Sequence, residues 1–297
     1  MPGGKRVAGS SSPPTQRVIS VMEFLTVRDR PQSAAEIADG LDLSRSTVGA
    51  ILAALDQQGW VVRFPDLTYA LGPALIAVSE RARPALPRPD IVDDELDRLA
   101  ARVGCAVGLS TVHGDQLIVV SVTSRDGGIP AGIASGTRLP LAPPAGASIV
   151  AHANAETRDR WLAGCRRHDV SQFRQLIDTI RDTGVGVWGV GAAGLDTVDV
   201  IADVVSFLSD SPASAGLRDR VVHLLSSLNG MPYEPTQLSA DVDLPVSVLT
   251  TPVFDTRGQA KWELQIGPFR DAVPRTEREH YVRELTATAK RLTEHAA

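Results

Sequence analysis

Residues 15–71 alternate between helical and extended periodicity in an order that few folds accommodate. Val18, Ile19, Val21, Met22 and Leu25 fall on one helical face, with Thr15 as the expected N-cap. Arg28-Asp29-Arg30-Pro31 breaks that helix. Ser33-Ala34-Ala35-Glu36 has capping-box spacing, in which hydroxyl and carboxylate each satisfy an orphaned backbone N–H. The short helix it opens is expected to stop at Gly40. Ser44 is a second N-cap, and the helix behind it carries Val48, Ile51, Leu52 and Leu55 as its apolar stripe. Gly59 ends it, at a position that favours left-handed backbone. Two extended runs, Trp60–Phe64 and Leu67–Leu71, flank Pro65-Asp66 and read as a β-hairpin.

Helix, short helix, tight turn, helix and hairpin is the winged helix-turn-helix order. The second helix of such a pair lies in the major groove, N-terminal residues foremost. Ser44, Arg45, Ser46 and Thr47 are therefore candidate DNA contacts. Arg45 has the fork that pairs bidentately with guanine, and the hydroxyls suit a base or a phosphate. The helix N-terminus itself attracts phosphate. Arg63 on the wing is placed for backbone contact, and Ser33 joins the candidate set from the first capped turn. The same pattern also describes a three-helix bundle whose Ser/Arg/Thr cluster is only a capped helix start.

At 297 residues the chain has room for about two domains. Residues 1–14 read as a flexible Gly/Ser/Pro tail, 15–72 as the winged helix-turn-helix, and 73–89 as a linker helix with a stiff Pro84/Pro87/Pro89 joint. Residues 90–297 form the second domain. That part is expected to hold helices over 91–103, 145–154, 171–181, 198–208, 217–228 and 277–292. Strands are expected over 106–110, 117–122, 129–133, 246–254 and 261–266, with His113-Gly114-Asp115 and Asp255–Gly258 as turns. Helices on an antiparallel sheet make the fold class α+β.

Composition excludes several classes. No apolar run reaches the roughly 18 residues of a membrane span, and the polar N-terminus lacks the apolar core of a signal peptide. Two distant cysteines, Cys105 and Cys165, rule out a disulfide scaffold and fit a reducing cytoplasm. Gly184–Gly189 spells GxGxxG, yet a helix precedes it where dinucleotide binding needs a strand. The six histidines show no metal spacing, no GxSxG elbow occurs, and Ser148 has no His or Asp placed beside it by any motif. No catalytic constellation, metal or cofactor is expected, and the chain is not read as an enzyme.

The wording of the motif goes further than its pattern. Pro31-Gln32-Ser33-Ala34-Ala35-Glu36-Ile37-Ala38, Leu43-Ser44-Arg45-Ser46-Thr47-Val48, Gly59-Trp60-Val61 and Tyr69-Ala70-Leu71-Gly72-Pro73 closely resemble the DNA-binding domain of the IclR family of transcriptional regulators. Asp94-Glu95-Leu96, Gly136-Thr137-Arg138-Leu139-Pro140-Leu141 and Thr251-Pro252-Val253-Phe254-Asp255 resemble parts of its effector-binding domain. The resemblance covers about 15–155 and 246–270, and is looser in the second stretch. It implies a GAF-like effector domain, a homo-oligomer (dimer or dimer of dimers), a double-stranded DNA operator and a small organic effector, often an acid. It implies no membrane partner.

Three departures from the family stand out. Gly49 and Ala50 occupy positions where the family often carries larger polar residues, which leaves base readout to Arg45 and Thr47. The effector site, by the resemblance, falls on Leu141, Ala145, Gly146, Trp188, Val248, Leu264 and Ile266, where apolar residues replace the family's polar anchors. That substitution predicts a bulkier, more apolar effector than glyoxylate or pyruvate. An insertion at about 189–245 is expected to hold two amphipathic helices. Trp188 and Trp262 are candidates both for pocket lining and for core.

Charge supplies the objection. The net charge is −5, whereas duplex binding asks for a basic footprint. The first 89 residues carry ten basic and eight acidic side chains, the rest 20 and 27, so the acidity belongs to the second domain. Two rival readings follow: a degenerate winged-helix interaction protein, or an enzyme that kept an N-terminal helical domain.

Overall fold

The computed structural model describes residues 12–26, 28, 30–82, 89–123, 135–165, 169–191 and 229–295. The expected strand over 129–133, the two helices of the insertion and most of the N-terminal tail lie outside them. The described residues up to Ala82 form one compact unit and those from 89 onward another.

The first unit holds α1 (Pro13–Thr26), β1 (Gln32–Ser33), α2 (Ala34–Leu41), α3 (Arg45–Gln57), β2 (Val61–Arg63), β3 (Thr68–Leu71) and α4 (Ala74–Ala82). The first helix starts two residues before Thr15, because prolines in a first turn forfeit only N–H groups that have no helical partner. Ser33 and Glu36 close the expected capping box: Glu36 N–H donates to Ser33 Oγ at 3.2 Å and Ser33 N–H to Glu36 Oε2 at 2.7 Å. The Arg30 guanidinium, 2.8 Å away, and the Ser33 amide hold the Glu36 carboxyl down at about 2.

The helix does not stop at Gly40. It runs to Leu41, and Asp42 takes the left-handed conformation at φ 52°. Gly40 serves packing instead, since a Cβ there would lie 2.4 Å from the Phe24 ring. Gly59 behaves as expected, at φ 70° just after α3. The hairpin pairs Val61 with Leu71 and Arg63 with Tyr69, and two-residue β1 adds a third strand that no sequence pattern marks. Val21, Phe24, Leu25, Ile37, Ala38, Val48, Leu52 and Val61 form the core beneath.

The second unit holds α5 (Pro89–Val103), β4 (Ala106–His113), β5 (Gln116–Thr123), β6 (Arg138–Pro140), α6 (Ala147–Ala151), α7 (Ala155–Leu162), α8 (Val170–Thr183) and β7 (Gly186–Val190). After 229 come β8 (Asn229–Pro232), α9 (Pro235–Leu238), β9 (Leu244–Val246), β10 (Val248–Phe254), β11 (Ala260–Gly267), β12 (Arg270–Val273) and α10 (Arg275–His295). Its main sheet is antiparallel in the order β6-β5-β4-β11-β10-β7-β8, and β9 pairs separately with β12.

The strand expected over 246–254 is thus two strands in two sheets. They part at Ser247, whose hydroxyl donates to the Gly189 carbonyl at 2.7 Å and whose N–H donates to that of Trp188 at 2.9 Å. The helix expected over 145–154 shrinks to 147–151, because Gly146 sits at φ 77° and cannot continue it backwards. Sequence periodicity missed α7, α9, β6, β8 and β12.

Two cores flank the sheet. On one face α5 and α10 pack Leu96, Leu99, Tyr281 and Leu285 against Leu109, Val187, Leu249, Val253, Trp262, Leu264 and Ile266. On the other, α6, α7 and α8 pack Ala147, Val150, Trp161, Phe173 and Ile180 against Trp188. Burial pushes the Cys105 thiol up to about 12 and the Cys165 thiol up to about 11, as suits packed, unreactive cysteines. No helix among the described residues is long and apolar enough to cross a membrane, and no cluster among them has the make-up of a metal site.

Candidate DNA interface and effector site

The DNA candidates divide by what their side chains already do. Ser44 caps α3: its Oγ accepts from Thr47 N–H at 3.2 Å and lies 2.8 Å from Thr47 Oγ1 and 3.0 Å from Ser46 Oγ. This network orients three hydroxyls at the start of the helix while Val48 and Leu52 anchor its opposite face in the core. Arg45 projects into solvent with no partner among the described residues. Only Thr47 of the first-turn amides is capped, so the others remain available to a phosphate.

Arg63 sits on the wing, its backbone N–H held by Asp56 Oδ1 at 3.2 Å and its side chain exposed. The wing tip is stiffened by Asp66, which accepts from both the N–H and the hydroxyl of Thr68. Ser33 stands apart, its hydroxyl spent on the capping box of α2. The outward row of α3 is built from small residues, Gly49, Ala50, Ala53 and Ala54, and a Cβ at Gly49 would meet nothing within 4 Å.

The effector candidates do not all converge. Gly146 and Ala145 lie at the start of α6. The Ala145 carbonyl accepts from Trp161 Nε1 at 2.8 Å, and Leu141 packs so closely on Gly146 that a Cβ there would lie 2.5 Å from Leu141 Cδ1. Trp188 and Val248 are cross-strand partners on the same sheet face, with Trp188 fully buried and Val248 half-buried. Those five residues share one side of the sheet.

Leu264 and Ile266 do not join them. Both are wholly buried in the core under α5 and α10, on the opposite face, and Trp262 lies with them. The resemblance placed β11 one residue out of phase, and in a strand one residue turns every side chain over.

The residues that β11 does present to α6 are Glu263 and Gln265. Glu263 is 1% exposed, yet its carboxylate accepts from Ser148 N–H at 2.8 Å and from Gly146 N–H at 3.3 Å. Burial pushes this carboxyl up to about 7 against the pull of those two amides and of the Ser148 side chain. Ser148 Oγ meets Thr250 Oγ1 at 2.7 Å on the neighbouring strand. Ser110 is the cross-strand partner of Glu263, so the two side chains share a face, and Ser110 Oγ is buried without a hydrogen-bond partner among the described residues. Trp188 Nε1 is likewise unpartnered. The face is therefore lined by Ser110, Ser148, Thr250, Glu263 and Gln265 as well as by apolar residues, which corrects the expectation of an apolar pocket. Alternation at Trp262, Leu264 and Ile266 was the available signal: a period-two apolar set assigns the odd positions, with their carboxylate, to the other face.

An exposed, capped helix start followed in sequence by a wing is the architecture of a winged helix-turn-helix domain. Residues 14–65 match the family model described as the IclR helix-turn-helix domain. Residues 14–65 thus carry a helix-turn-helix domain of the IclR type, where the sequence resemblance placed it. No curated protein matches it.

Solved structures share its fold. An IclR transcriptional regulator from Alicyclobacillus acidocaldarius is 17% identical with a TM-score of 0.63, over 97% of this chain and 100% of that one. An IclR homolog from Microbacterium hydrocarbonoxydans, complexed with 4-hydroxybenzoate, is 17% identical with a TM-score of 0.59, over 95% and 98%. HmgR of Pseudomonas aeruginosa is 19% identical with a TM-score of 0.57, over 94% and 97%. At these identities the likeness is one of fold.

Proposed function

We propose that this protein is a ligand-responsive transcriptional regulator. It binds a duplex operator through α3 and the wing of the 15–72 domain, and a small organic effector on the α6 face of the 90–297 domain. The observation that carries the reading is Arg45: a free guanidinium beside three pre-oriented hydroxyls at the exposed start of a well-anchored helix. Ser44 and Thr47 position, Arg45 reads, and Arg63 holds the backbone. The weak positive charge of the first 89 residues gives each subunit little non-specific affinity, so operator affinity comes from two or more linked subunits. Effector binding biases the geometry of the oligomer, and thereby operator affinity, by favouring one of two arrangements.

The effector has an apolar or aromatic body. Leu141 and Val248 offer apolar walls, and the Microbacterium relative holds an aromatic acid. A gel-shift titration of DNA flanking the protein's own coding region tests the DNA half. Saturable binding that unrelated DNA of equal length does not match supports it. Equal affinity for both DNAs favours the degenerate interaction module that the small outward row of α3 would suit.

A further inference from the structure

Glu263 is a buried carboxylate with no cation to balance it among the described residues. It is 1% exposed, no basic side chain pairs with it among the described residues, and its hydrogen bonds come from the Gly146 and Ser148 amides and the Ser148 side chain. Each carboxylate oxygen has accepting capacity left after one amide bond. Beside it, on the same face, stands a buried hydroxyl with no partner, Ser110, and further along the sheet a buried indole N–H with none, Trp188. Buried polar groups are normally satisfied, so each of these groups needs a partner, whether water, ion or ligand.

The face is not sealed. Val122, Gln265 and Val248 on neighbouring strands are only half-buried, as are Leu141 and Ala142–Ala145 ahead of α6. Gly146, whose amide contacts the carboxylate, is held at φ 77° against Leu141. The chain's own carboxylate thus sits on the amides of this loop, in the place where a ligand's acid group would otherwise find its donors.

We propose that Glu263 fixes the chemical class of the effector: the site takes an organic cation with an apolar body, whose donors complete the Glu263 carboxylate and the Ser110 hydroxyl, and it rejects carboxylates. This rests on the effector site proposed above. A second buried anion at this point would face an existing one with no intervening counter-charge, whereas a planar cationic donor matches a carboxylate in bidentate fashion. The cation also favours the ionised form of a carboxyl that burial, against its hydrogen bonds, holds at about 7.

Three probes of one ring size test it on the full-length protein at about pH 8, where benzamidine is a cation, benzyl alcohol neutral and benzoate an anion. Calorimetric titration of the wild type should rank them benzamidine, benzyl alcohol, benzoate, with at least a tenfold gap, about 1.4 kcal/mol, between first and last. Glu263→Gln should bring benzamidine and benzoate to within about threefold of one another, a change of about 0.7 kcal/mol in their difference. The wild-type ranking decides the matter even if that variant folds poorly. Benzoate binding as tightly as benzamidine, or no binding of any of the three, overturns the proposal. Val248→Trp, which fills the half-open end of the face, separates this failure from that of the site. If benzoate wins in the wild type and its binding is lost in Val248→Trp, the charge rule fails and the site stands. If binding persists unchanged in Val248→Trp, the site itself is misplaced.

Discussion

The environment of Glu263 predicts how stability varies with pH. Its carboxyl titrates at 4.5 when unperturbed and at about 7 in the fold, with burial as the cause. Between those values the folded protein keeps a proton that the unfolded chain releases. Raising the pH therefore favours unfolding, and the group's contribution is present below the unfolded value and lost as pH climbs to the folded one. A displacement of this size corresponds to about 3 kcal/mol, taken as an order of magnitude for a group enclosed on all sides. His152 works in the opposite sense in an overlapping window. Its own burial, helped by Arg181, holds it below its ordinary value, so acidification costs stability.

The two are separated by comparison with Glu263→Gln, which keeps the shape of the side chain and abolishes its titration. Urea unfolding followed by tryptophan fluorescence is a suitable assay, because Trp161, Trp188 and Trp262 all lie in the second unit and report on its transition. The difference in unfolding free energy, wild type minus variant, should shrink by about 3 kcal/mol from pH ~4.5 to pH ~7.5. A difference that stays constant over that range, or grows with pH, would refute the reasoning and mean that the buried carboxyl is stabilised as an anion.

Other substitutions probe the local arguments. Gly49→Ala, at a half-buried helix-interior position with open space around its Cβ, should raise stability by about 1 kcal/mol in thermal or urea unfolding. Ser33→Ala should cost about 1 kcal/mol by losing the cap of α2. Glu36→Gln should blunt the acid sensitivity of the first unit, since the Glu36 contribution is present above its ordinary value and fades as pH falls toward about 2; far-UV circular dichroism of the acid transition reads this out. Gly146→Ala should destabilise by about 1–3 kcal/mol in urea, because it combines left-handed backbone with a 2.5 Å approach to Leu141.

The winged helix was legible because its signals are local. Ser33 and Glu36, Ser44 and Gly59 fix helix ends within a few residues of themselves, and Pro65-Asp66 fixes the hairpin. What escaped notice depends on pairing partners distant in sequence. Strand β1 is two residues long and exists only because Ser33 and Gln32 meet Thr68 and Tyr69. Strand β12 exists because Arg270 and Val273 meet β9. The break at Ser247 follows from carbonyls of Trp188 and Gly189, almost sixty residues away. At the candidate effector face a resemblance by spacing overruled the apolar alternation of β11, which by itself puts Glu263, not Leu264, toward α6. Arg45 could be singled out from sequence, whereas the isolation of the Glu263 carboxylate could not, since it rests on what is missing around it in three dimensions.

The central claim is that α3 reads DNA through Arg45. Fluorescence-anisotropy titration of labelled duplex from the protein's own flanking DNA, with wild type and Arg45→Ala side by side, tests it most directly. The variant should fold normally, because Arg45 is exposed and makes no hydrogen bond or ion pair with another described residue. It should lose at least about tenfold in affinity for the specific duplex, as expected for a lost bidentate base contact of about 1–3 kcal/mol, while its weak affinity for unrelated DNA changes little. Equal affinity of wild type and variant for the specific duplex, or no preference of the wild type for that duplex, would contradict the account.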